Sequence, residues 1–432
     1  MTDLRTLVAA LPPEEQRAWL SVLLRQRANA ERGLSDLPAE AVLEPFIRPD
    51  RLPAALPSTS PPRAVFLTGA TGFVGAFVLA ELLRATRAEV HCLVRAADVA
   101  AGRERLLGSL ARYELTHPDA ERRVLPVVGD LGKRCFGLAP PAFDALAATV
   151  DEVYHCGAVP NWLFPYDALR GSNVVGTREA LRLCATQRRK PLHHLSTLGV
   201  VLSAGDFAAP VLREDVDLDD CARHPIGYTQ SKWVAEKLVQ EARARGLPAS
   251  IHRPAFISGD SVSGVYKTSG DFVFACLRAA VRLGITHERD WLVSIAPVDV
   301  VARTMVALAG RPAAIGLDYH YPDPAPVRWR TLVAWLRDFG YAVAERPLDD
   351  WLAAIRRAGP DGDLFGFLPL LAPPAHGPSA YEVGYLRSQV VVDCANTERM
   401  LGTEASRGAS VTAETFQRYL AYLVRTGLLP PP

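Results

Sequence analysis

The chain lacks the features that would place it in a membrane, outside the cell or on a nucleic acid. No apolar run approaches the roughly 18 residues needed to cross a bilayer, and the residues after Met1 contain no apolar core of the signal-peptide type. The 48 basic and 47 acidic residues leave a formal net charge of +1, so there is no excess of positive charge for a nucleic acid or an anionic membrane surface. We therefore expect a cytoplasmic monomer with neither a nucleic-acid nor a membrane partner.

The chain also lacks closely spaced cysteine pairs, and it has few lysines. The seven cysteines are odd in number and form no C-x-x-C pair, which argues against a disulfide framework and against a metal site of the zinc type. Five of the 48 basic residues are lysines, so a lysine within a motif is more informative than an arginine. The apolar share of 49% is that of a globular protein, and 432 residues suffice for two domains or for one large domain with additions.

Three segments with different patterning follow one another along the chain. Residues 1–57 are predicted to be helical, with apolar residues at helical spacing from Leu4 to Leu24, and we interpret them as a helical clasp on the main domain. Residues 63–305 alternate short apolar strands with helical stretches, which predicts an α/β Rossmann fold with a doubly wound parallel sheet. Residues 306–432 lose this alternation and are predicted to form a smaller C-terminal substrate-binding domain. The predicted strands are Ala64–Thr68, Glu89–Val94, Arg123–Val128, Glu152–His155, Pro191–Leu195 and Ala249–His252.

A glycine-rich turn directly follows the first predicted strand and precedes a helix rich in alanine and leucine. In the sequence TGATGFVG, Gly69 permits a tight turn, Gly72 lets the backbone approach a pyrophosphate, and Gly75 lets helix and strand pack closely. The helix N-terminus offers N–H groups and the positive end of a dipole to the phosphates. The spacing alone is a weak signal, but the strand before it and the helix after it predict a dinucleotide site. Its predicted residues are Thr68, Gly69, Thr71, Gly72, Phe73, Val74 and Gly75.

The ends of the following strands predict which dinucleotide binds. An acidic residue at the end of the second strand would bind the ribose hydroxyl of NAD, whereas an arginine accommodates the additional phosphate of NADP. Arg95 stands at this position, and Arg105 is placed to add a second charge. We therefore predict NADPH as the cofactor. The other residues predicted to contact it here follow the third and fourth strands: Asp130, Leu131, Gly157 and Ala158.

A tyrosine and a lysine within one predicted helix form the candidate catalytic pair. In the segment PIGYTQSKWVAEKLVQEA, Tyr228 and Lys232 stand four residues apart and therefore share a helical face. A free tyrosine has a pKa of about 10, and a neighbouring ammonium group would lower that pKa toward the range of a general acid–base. A third hydroxyl should come from HLSTLGV at the end of the fifth strand, where Ser196 and Thr197 point to opposite faces. Residue chemistry alone leaves that choice open. Three nearby strand histidines are interpreted as structural: His155, His193 and His194.

These motifs resemble those of the thioester reductase domain, the terminal reductase of nonribosomal peptide and polyketide assembly lines and of carboxylic acid reductases. The matching segments run from about residue 35 to the end of the chain, and the segment with the tyrosine and lysine is especially characteristic. They are EAVLEPFIRP, FLTGATGFVGAFVLAELL, HCGAVPNWLFPYDALRGSNVVGT, HLSTLGVV, GYTQSKWVAEKLV, HRPAFISGDSVSG and YLVRTGLLPPP.

The resemblance implies an extended short-chain dehydrogenase whose Thr-Tyr-Lys triad is Thr197, Tyr228 and Lys232 here. It implies that NADPH reduces an acyl or peptidyl thioester, held on the phosphopantetheine arm of a carrier protein in cis or in trans. The product would be an aldehyde, which a second reduction would convert to an alcohol. The resemblance also implies that Lys232 binds the nicotinamide ribose. It assigns three further residues to the cofactor site: Asn173, Pro254 and Ile257.

The departures from the family pattern lie on the substrate side. Pro160 stands where valine is usual, Ala255 where glycine is common and Lys267 where asparagine is frequent, so the acyl group stays open. Residues 1–57 contain no G-x-D-S carrier motif, so we expect either a free-standing reductase or a piece of a larger enzyme, in which these helices could instead be a docking element. We expect Lys267 to contact the carrier arm rather than the basic cluster 187–190, because that cluster precedes its strand and so lies on the far face of the sheet.

Two other functions fit the same motifs. One is another extended short-chain dehydrogenase, such as a nucleotide-sugar epimerase or dehydratase, or a hydroxysteroid or flavonol reductase. The other is a non-catalytic NADP-binding regulator, although such proteins tend to lose the tyrosine–lysine pair that this chain keeps. Oxidation of NADPH in the presence of a short acyl thioester would distinguish the three.

Overall fold

The structure, a computed structural model, describes most of the chain after the first predicted helices. The described residues are 37–53, 61–202, 211–221, 224, 226–267, 272–359, 362–371, 390–402 and 410–432. The helices predicted between Leu4 and Leu24 lie outside them. Among the described residues, no helix is both long and apolar enough to cross a membrane.

Seven parallel strands form the central sheet. The strands are β1 (Ala64–Thr68), β2 (Glu89–Val94), β3 (Val124–Val128), β4 (Glu152–His155), β5 (Leu192–Leu195), β6 (Ala249–Pro254) and β7 (Asp318–Tyr321). Their order is β7-β6-β5-β4-β1-β2-β3, and each pair of neighbours is parallel. The predicted α/β doubly wound sheet is confirmed. Because the chain proceeds to opposite sides of β1, a cleft opens beyond the carboxyl ends of β1 and β4.

The seventh strand comes from the segment predicted as the substrate-binding domain. Asp318 of β7 pairs with Ile251 of β6, and all four residues of β7 are buried. The sequence DYHY has no aliphatic run, so the sequence pattern did not predict this strand. This segment therefore contributes a strand to the central sheet.

Helices cover both faces of the sheet, which explains why every residue of β1 and of β6 is buried. In the longest of these helices, Val234, Leu238 and Ala242 recur every fourth residue, and all three are fully buried against the sheet. The longer helices among the described residues are α1 (Phe73–Ala85), α2 (Val99–Arg112), α3 (Pro140–Thr149), α4 (Gly176–Cys184), α5 (Gly227–Ala244), α6 (Phe272–Leu283), α7 (Val298–Ala309), α8 (Trp329–Asp338), α9 (Leu348–Ala358) and α10 (Ala413–Arg425).

Shorter elements connect this framework. Short helices lie at Leu37–Glu40, Ala120–Arg123, Tyr166–Arg170, Gly199–Leu202, Leu368–Leu371 and Ala395–Leu401. Two-stranded pairs join Phe256–Ser258 to Ile295–Pro297, Ile285–His287 to Ala344–Arg346, Leu292–Val293 to Val327–Arg328, Val391–Val392 to Val211–Leu212, and Ala185–Thr186 to Arg188–Arg189.

The described part of the N-terminal segment, residues 37–53, packs on the main domain. Leu43 and Ile47 are fully buried in the core beneath α5. The Arg245 guanidinium donates to the carbonyl oxygen atoms of Leu43 (2.9 Å), Glu44 (2.8 Å) and Ile47 (3.0 Å). These contacts support the interpretation of this part of the segment as a clasp.

Candidate active site

A cleft of about 980 Å³ lies beyond the carboxyl ends of the parallel strands. The glycine turn after β1 forms one wall, and the end of β5 together with the start of α5 forms another. The predicted cofactor turn and the predicted catalytic pair therefore face the same space. The predicted site residues that line it are Gly69, Thr71, Gly72, Phe73, Val74, Gly75, Arg95, Arg105, Asp130, Leu131, Gly157, Ala158, Thr197, Tyr228, Lys232, Pro254 and Ile257.

The glycine turn has the close packing that a phosphate cradle needs. Gly69 has a φ of +81°, and a Cβ atom there would lie 2.8 Å from the backbone of Gly157. A Cβ atom at Gly75 would lie 2.0 Å from the Gly69 carbonyl oxygen, so α1 begins in direct contact with the turn. The N-cap residue of α1 is Gly72, which has no side chain to cap the first turn. The first N–H groups of α1 are therefore suited to bind a pyrophosphate, and the cradle fits a dinucleotide.

Two arginines lie together at the end of β2. Arg95 and Arg105 are both exposed, and the Arg105 guanidinium donates a hydrogen bond to the Arg95 carbonyl oxygen. On the neighbouring strand end, Oδ1 of Asp130 accepts the N–H of Gly132 at 2.9 Å, which holds that turn in shape. Two guanidinium groups at this edge of the cleft suit a phosphate on the adenosine ribose.

Thr68 and Asn173, both predicted to bind the cofactor, are fully buried behind the cleft wall. The N–H of Gly157 donates to Oγ1 of Thr68 (3.0 Å), which lies 2.8 Å from Nδ1 of His155. The Thr177 hydroxyl donates to the Asn173 carbonyl oxygen (2.7 Å), so it accepts from Nε2 of His155 (3.0 Å). His155 Nδ1 must then accept from Thr68. Thr68 and Asn173 thus shape the wall from behind rather than line the cleft, and His155 has the structural role assigned to it.

Asn173 also fixes the loop that follows β4. It lies in a wide π-type turn, Gly171–Val175, a geometry that redirects side chains. Its carboxamide accepts from the N–H of Val159 (2.8 Å) and donates to the Val159 carbonyl oxygen (3.3 Å) and to Oγ of Ser231 (2.9 Å). The Ser231 hydroxyl donates to the Tyr228 carbonyl oxygen at 2.7 Å. Asn173 therefore connects the loop to the first turn of α5.

Lys232 is directed at the end of β5. Its Nζ atom donates to the Leu195 carbonyl oxygen (2.7 Å) and contacts Nε2 of His194 (3.2 Å). Burial holds the pKa of His194 well below its usual value, so the neutral ring can accept from the ammonium group. Burial also lowers the pKa of Lys232 to about 8, which still leaves the ammonium form predominant at neutral pH.

Tyr228 does not have the lowered pKa that the sequence predicts. Burial raises the pKa of its phenol, because the desolvated phenolate is disfavoured and the Lys232 ammonium group is bound to β5 instead. A raised pKa keeps the hydroxyl protonated at neutral pH. Tyr228 therefore carries the proton that a reduction requires, and the raised pKa makes its phenol a weaker acid than a free tyrosine.

The geometry distinguishes the two hydroxyls that the sequence left open. Ser196 is buried, and its hydroxyl donates to the carboxylate of Glu236. Thr197 is half-buried, and its Oγ1 accepts the N–H of Gly199 at 3.1 Å, so its own proton can be donated into the cleft. The arrangement favours Thr197 as the third hydroxyl of the site.

A buried ion cluster supports this end of the sheet, and the sequence reasoning missed it. The Arg253 side chain is fully buried, with Nη2 2.8 Å from Oε2 of Glu236 and 3.0 Å from Oδ2 of Asp318. Glu236 follows Lys232 by four residues and Tyr228 by eight, so the shared helical face was a signal that could have identified it. The cluster fixes α5, and with it the catalytic pair, against β6 and β7.

The two basic features considered for carrier binding occupy different places. Lys267 lines the cleft. In the 187–190 cluster, Nζ of Lys190 donates to the carbonyl oxygen atoms of Leu183 (3.2 Å) and Thr186 (2.7 Å), so this side chain is engaged within the fold. Contact between Lys267 and a carrier arm stays a prediction.

The seven-stranded parallel sheet, the glycine turn and the tyrosine–lysine helix on one cleft define an oxidoreductase of the extended short-chain dehydrogenase class. A family model described as "Male sterility protein" matches residues 67–305. The chain belongs to this family, within the group formed by the terminal reductase domains of nonribosomal peptide synthetases. The resemblance found in the sequence motifs is confirmed.

The relatives and a solved structure agree with this assignment. A linear gramicidin synthase of Brevibacillus parabrevis is 34% identical over 400 residues, which are 92% of this chain and 8% of that protein. The large subunit of the L-2-aminoadipate reductase of Penicillium chrysogenum is 34% identical over 412 residues, which are 89% of this chain and 28% of that protein. The crystal structure of the terminal R domain from the myxalamid PKS-NRPS biosynthetic pathway is 38% identical, with a TM-score of 0.84 over 92% of this chain and 99% of that one. The chain thus spans a minor part of these curated relatives and nearly all of the solved domain.

Proposed function

We propose that this chain uses NADPH to reduce an acyl or peptidyl thioester, carried on the phosphopantetheine arm of a carrier protein, to an aldehyde. The observation that carries the proposal is that Thr197, Tyr228 and Lys232 line one cleft with the glycine turn and the Arg95 edge. The similarity to a gramicidin synthase and to an aminoadipate reductase supports the carrier-bound substrate. A second reduction of the aldehyde would yield the alcohol, and the product mass distinguishes the two outcomes.

The residues of the cleft divide the chemistry between them. A reduced nicotinamide dinucleotide along the glycine turn supplies the hydride. Thr197 and Tyr228 hold the carbonyl oxygen of the thioester, and Tyr228 gives its proton to the oxygen as negative charge develops there. Lys232 holds the nicotinamide ribose. The resulting hemithioacetal loses its O–H proton as the carbon–sulfur bond breaks, and the carrier thiol leaves with that proton beside the free aldehyde. Tyr228 then takes up a proton from solvent, which restores its hydroxyl for the next turnover.

A direct assay tests this function. The purified chain is mixed with NADPH and either a carrier-bound acyl thioester or a small free acyl thioester, and NADPH oxidation is followed together with the product mass. We expect one equivalent of NADPH to be consumed for each aldehyde formed. Absence of turnover with every thioester, combined with turnover of a nucleotide sugar or a steroid, would replace the proposal with the alternative dehydrogenase function.

The choice of cofactor should depend on Arg95. Arg95→Asp is expected to lower kcat/KM for NADPH roughly tenfold or more while sparing NADH, because it replaces a charge-assisted phosphate contact with repulsion. The matched control is Arg112→Asp, an exposed arginine at the end of α2 that is not part of the cleft. Equal use of NADPH and NADH by the unmodified chain would contradict the assignment.

The third hydroxyl can be identified by comparing two small substitutions. Thr197→Val is expected to lower kcat more than Ser196→Ala, because Thr197 faces the cleft and the Ser196 hydroxyl is bonded to Glu236. Steady-state rates with one acyl thioester at saturating NADPH give the comparison. The reverse order would assign the hydroxyl to Ser196.

A further inference from the structure

Aromatic side chains form one side of the cleft, and the proposed chemistry does not yet use them. The Trp162 ring is stacked on Phe272, with centroids 5.7 Å apart and planes at 17°, and it meets Phe256 at 5.6 Å. Phe272 also meets Trp291 at 6.4 Å. All four rings line the same cleft as Tyr228. We call Trp162, Phe256, Phe272 and Trp291 the aromatic wall.

Trp162 is presented on a loop that is fixed at several points. The Asn173 carboxamide binds both the N–H and the carbonyl oxygen of Val159. On the other side, Oδ1 of Asn161 accepts the N–H groups of Leu163 (2.8 Å) and Phe164 (3.0 Å). Since these bonds flank Trp162, the position of its ring is set before any ligand arrives. A preorganised ring binds a partner without the entropic cost of ordering a mobile loop.

The aromatic wall lies next to the reacting groups on two sides. The N–H of Leu198, which follows Thr197, donates to the Pro254 carbonyl oxygen at 2.9 Å, and Phe256 comes two residues after Pro254. At the start of α5, a Cβ atom at Gly227 would lie 2.6 Å from the Phe164 carbonyl oxygen, so the loop of Trp162 contacts the residue before Tyr228. A carbonyl held by Thr197 and Tyr228 therefore has the aromatic wall within reach of its acyl chain.

Resting on the function proposed above, we propose that the acyl group of the substrate carries an aromatic ring that packs against Trp162, Phe256 and Phe272. Flat rings offer large apolar faces, and aromatic pairs in offset or edge-to-face arrangements gain more than their buried area alone provides. An arylalkanoyl thioester meets this condition, since its ring is separated from the carbonyl by a short methylene chain.

A carboxylate in the same cleft defines the competing substrate. Asp323 is buried, and its Oδ1 accepts the N–H of Ala325 at 2.9 Å. An acyl chain that ends in an ammonium group could form an ion pair with Asp323. With the aromatic wall it could form only a cation–π contact. The two acyl classes therefore give opposite results in one experiment.

The test compares three thioesters of N-acetylcysteamine: phenylpropionyl, acetyl and aminohexanoyl. For the unmodified chain we expect kcat/KM to be highest for phenylpropionyl and roughly tenfold or more lower for aminohexanoyl. Trp162→Ala should lower kcat/KM for phenylpropionyl by roughly 10- to 100-fold and for acetyl by less than about threefold, while Trp162→Phe should restore most of the loss. The matched control is Trp335→Ala, a partly buried tryptophan of α8 that packs on Phe416 and is not part of the cleft.

Calorimetric titration with the phenylpropionyl thioester, without reduced cofactor, separates this inference from the proposed function. Absence of turnover with every thioester would refute the function, whereas weaker binding of phenylpropionyl to Trp162→Ala than to Trp335→Ala would still support the aromatic wall. Preference for aminohexanoyl, equal losses for acetyl and phenylpropionyl in Trp162→Ala, or unchanged binding would overturn the inference.

Discussion

Replacement of Tyr228 by phenylalanine is expected to lower kcat by roughly 10²–10⁴-fold while leaving the fold and NADPH binding intact. The substitution removes the hydroxyl that is proposed to protonate the oxyanion and leaves the ring in place. The phenol is protonated at neutral pH, since burial raises its pKa further above neutrality, so the proton to be transferred is present. Single-turnover reduction of an acyl thioester, with NADPH binding measured by fluorescence, gives both quantities.

Tyr341→Phe is the matched control for this substitution. Tyr341 is buried, and its hydroxyl donates to the Pro430 carbonyl oxygen at 2.5 Å, away from the cleft. Its loss should cost about 1 kcal/mol of stability and little activity. If Tyr228→Phe kept activity within a factor of three of the parent, another group would have to supply the proton.

Arg253→Met is expected to lower the free energy of unfolding by roughly 3–5 kcal/mol. The substitution keeps part of the aliphatic stem but removes the guanidinium group, so the Glu236 carboxylate loses its cation while Asp318 keeps Arg243 as a partner. A buried Glu236 carboxylate without its cation cannot recover its hydration. Urea denaturation followed by circular dichroism gives the change.

Arg425→Met supplies the comparison at the surface. Arg425 pairs with Glu114 at 2.8 Å, and the two side chains are 60% and 45% exposed. Solvent screens this pair, so its loss should cost less than about 1 kcal/mol. Equal effects of the two arginine substitutions would mean that the buried cluster does not stabilise the fold, and Arg253→Lys provides a milder measure if Arg253→Met yields no folded protein.

The sheet could be predicted because its signals are local. Six of its strands are short apolar runs separated by helical stretches, and β1 is marked by the glycine turn that follows it. The strand β7 could not be predicted in the same way, because Asp318, Tyr319 and His320 owe their place to pairing with β6 rather than to their own pattern. The bounds of residues 306–432 as a separate domain stay a prediction for the same reason.

The catalytic residues could be predicted where the distance between them along the sequence is characteristic. Tyr228 and Lys232 were found from their interval on one helix, whereas the pKa of Tyr228 depends on burial and on where the Lys232 ammonium group is bound. The burial of a phenol and the direction of an ammonium group depend on tertiary packing, which the interval between two residues in the sequence does not reveal. The choice between Ser196 and Thr197 likewise depended on Glu236, which lies 40 residues from Ser196 along the chain.

The position of β7 at the edge of the sheet has a consequence for how the chain reaches its native state. Arg253 and Asp318 are 65 residues apart, so during synthesis β6 remains an unpaired edge, and Arg253 lacks its second carboxylate, until residues 318–321 have emerged. Long-range parallel pairing of this kind forms slowly, and an exposed strand edge offers a template for aggregation. A polypeptide ended near residue 305, where the family match stops, would keep that edge permanently open. Expression of the dinucleotide-binding part alone therefore requires the chain at least through Tyr321.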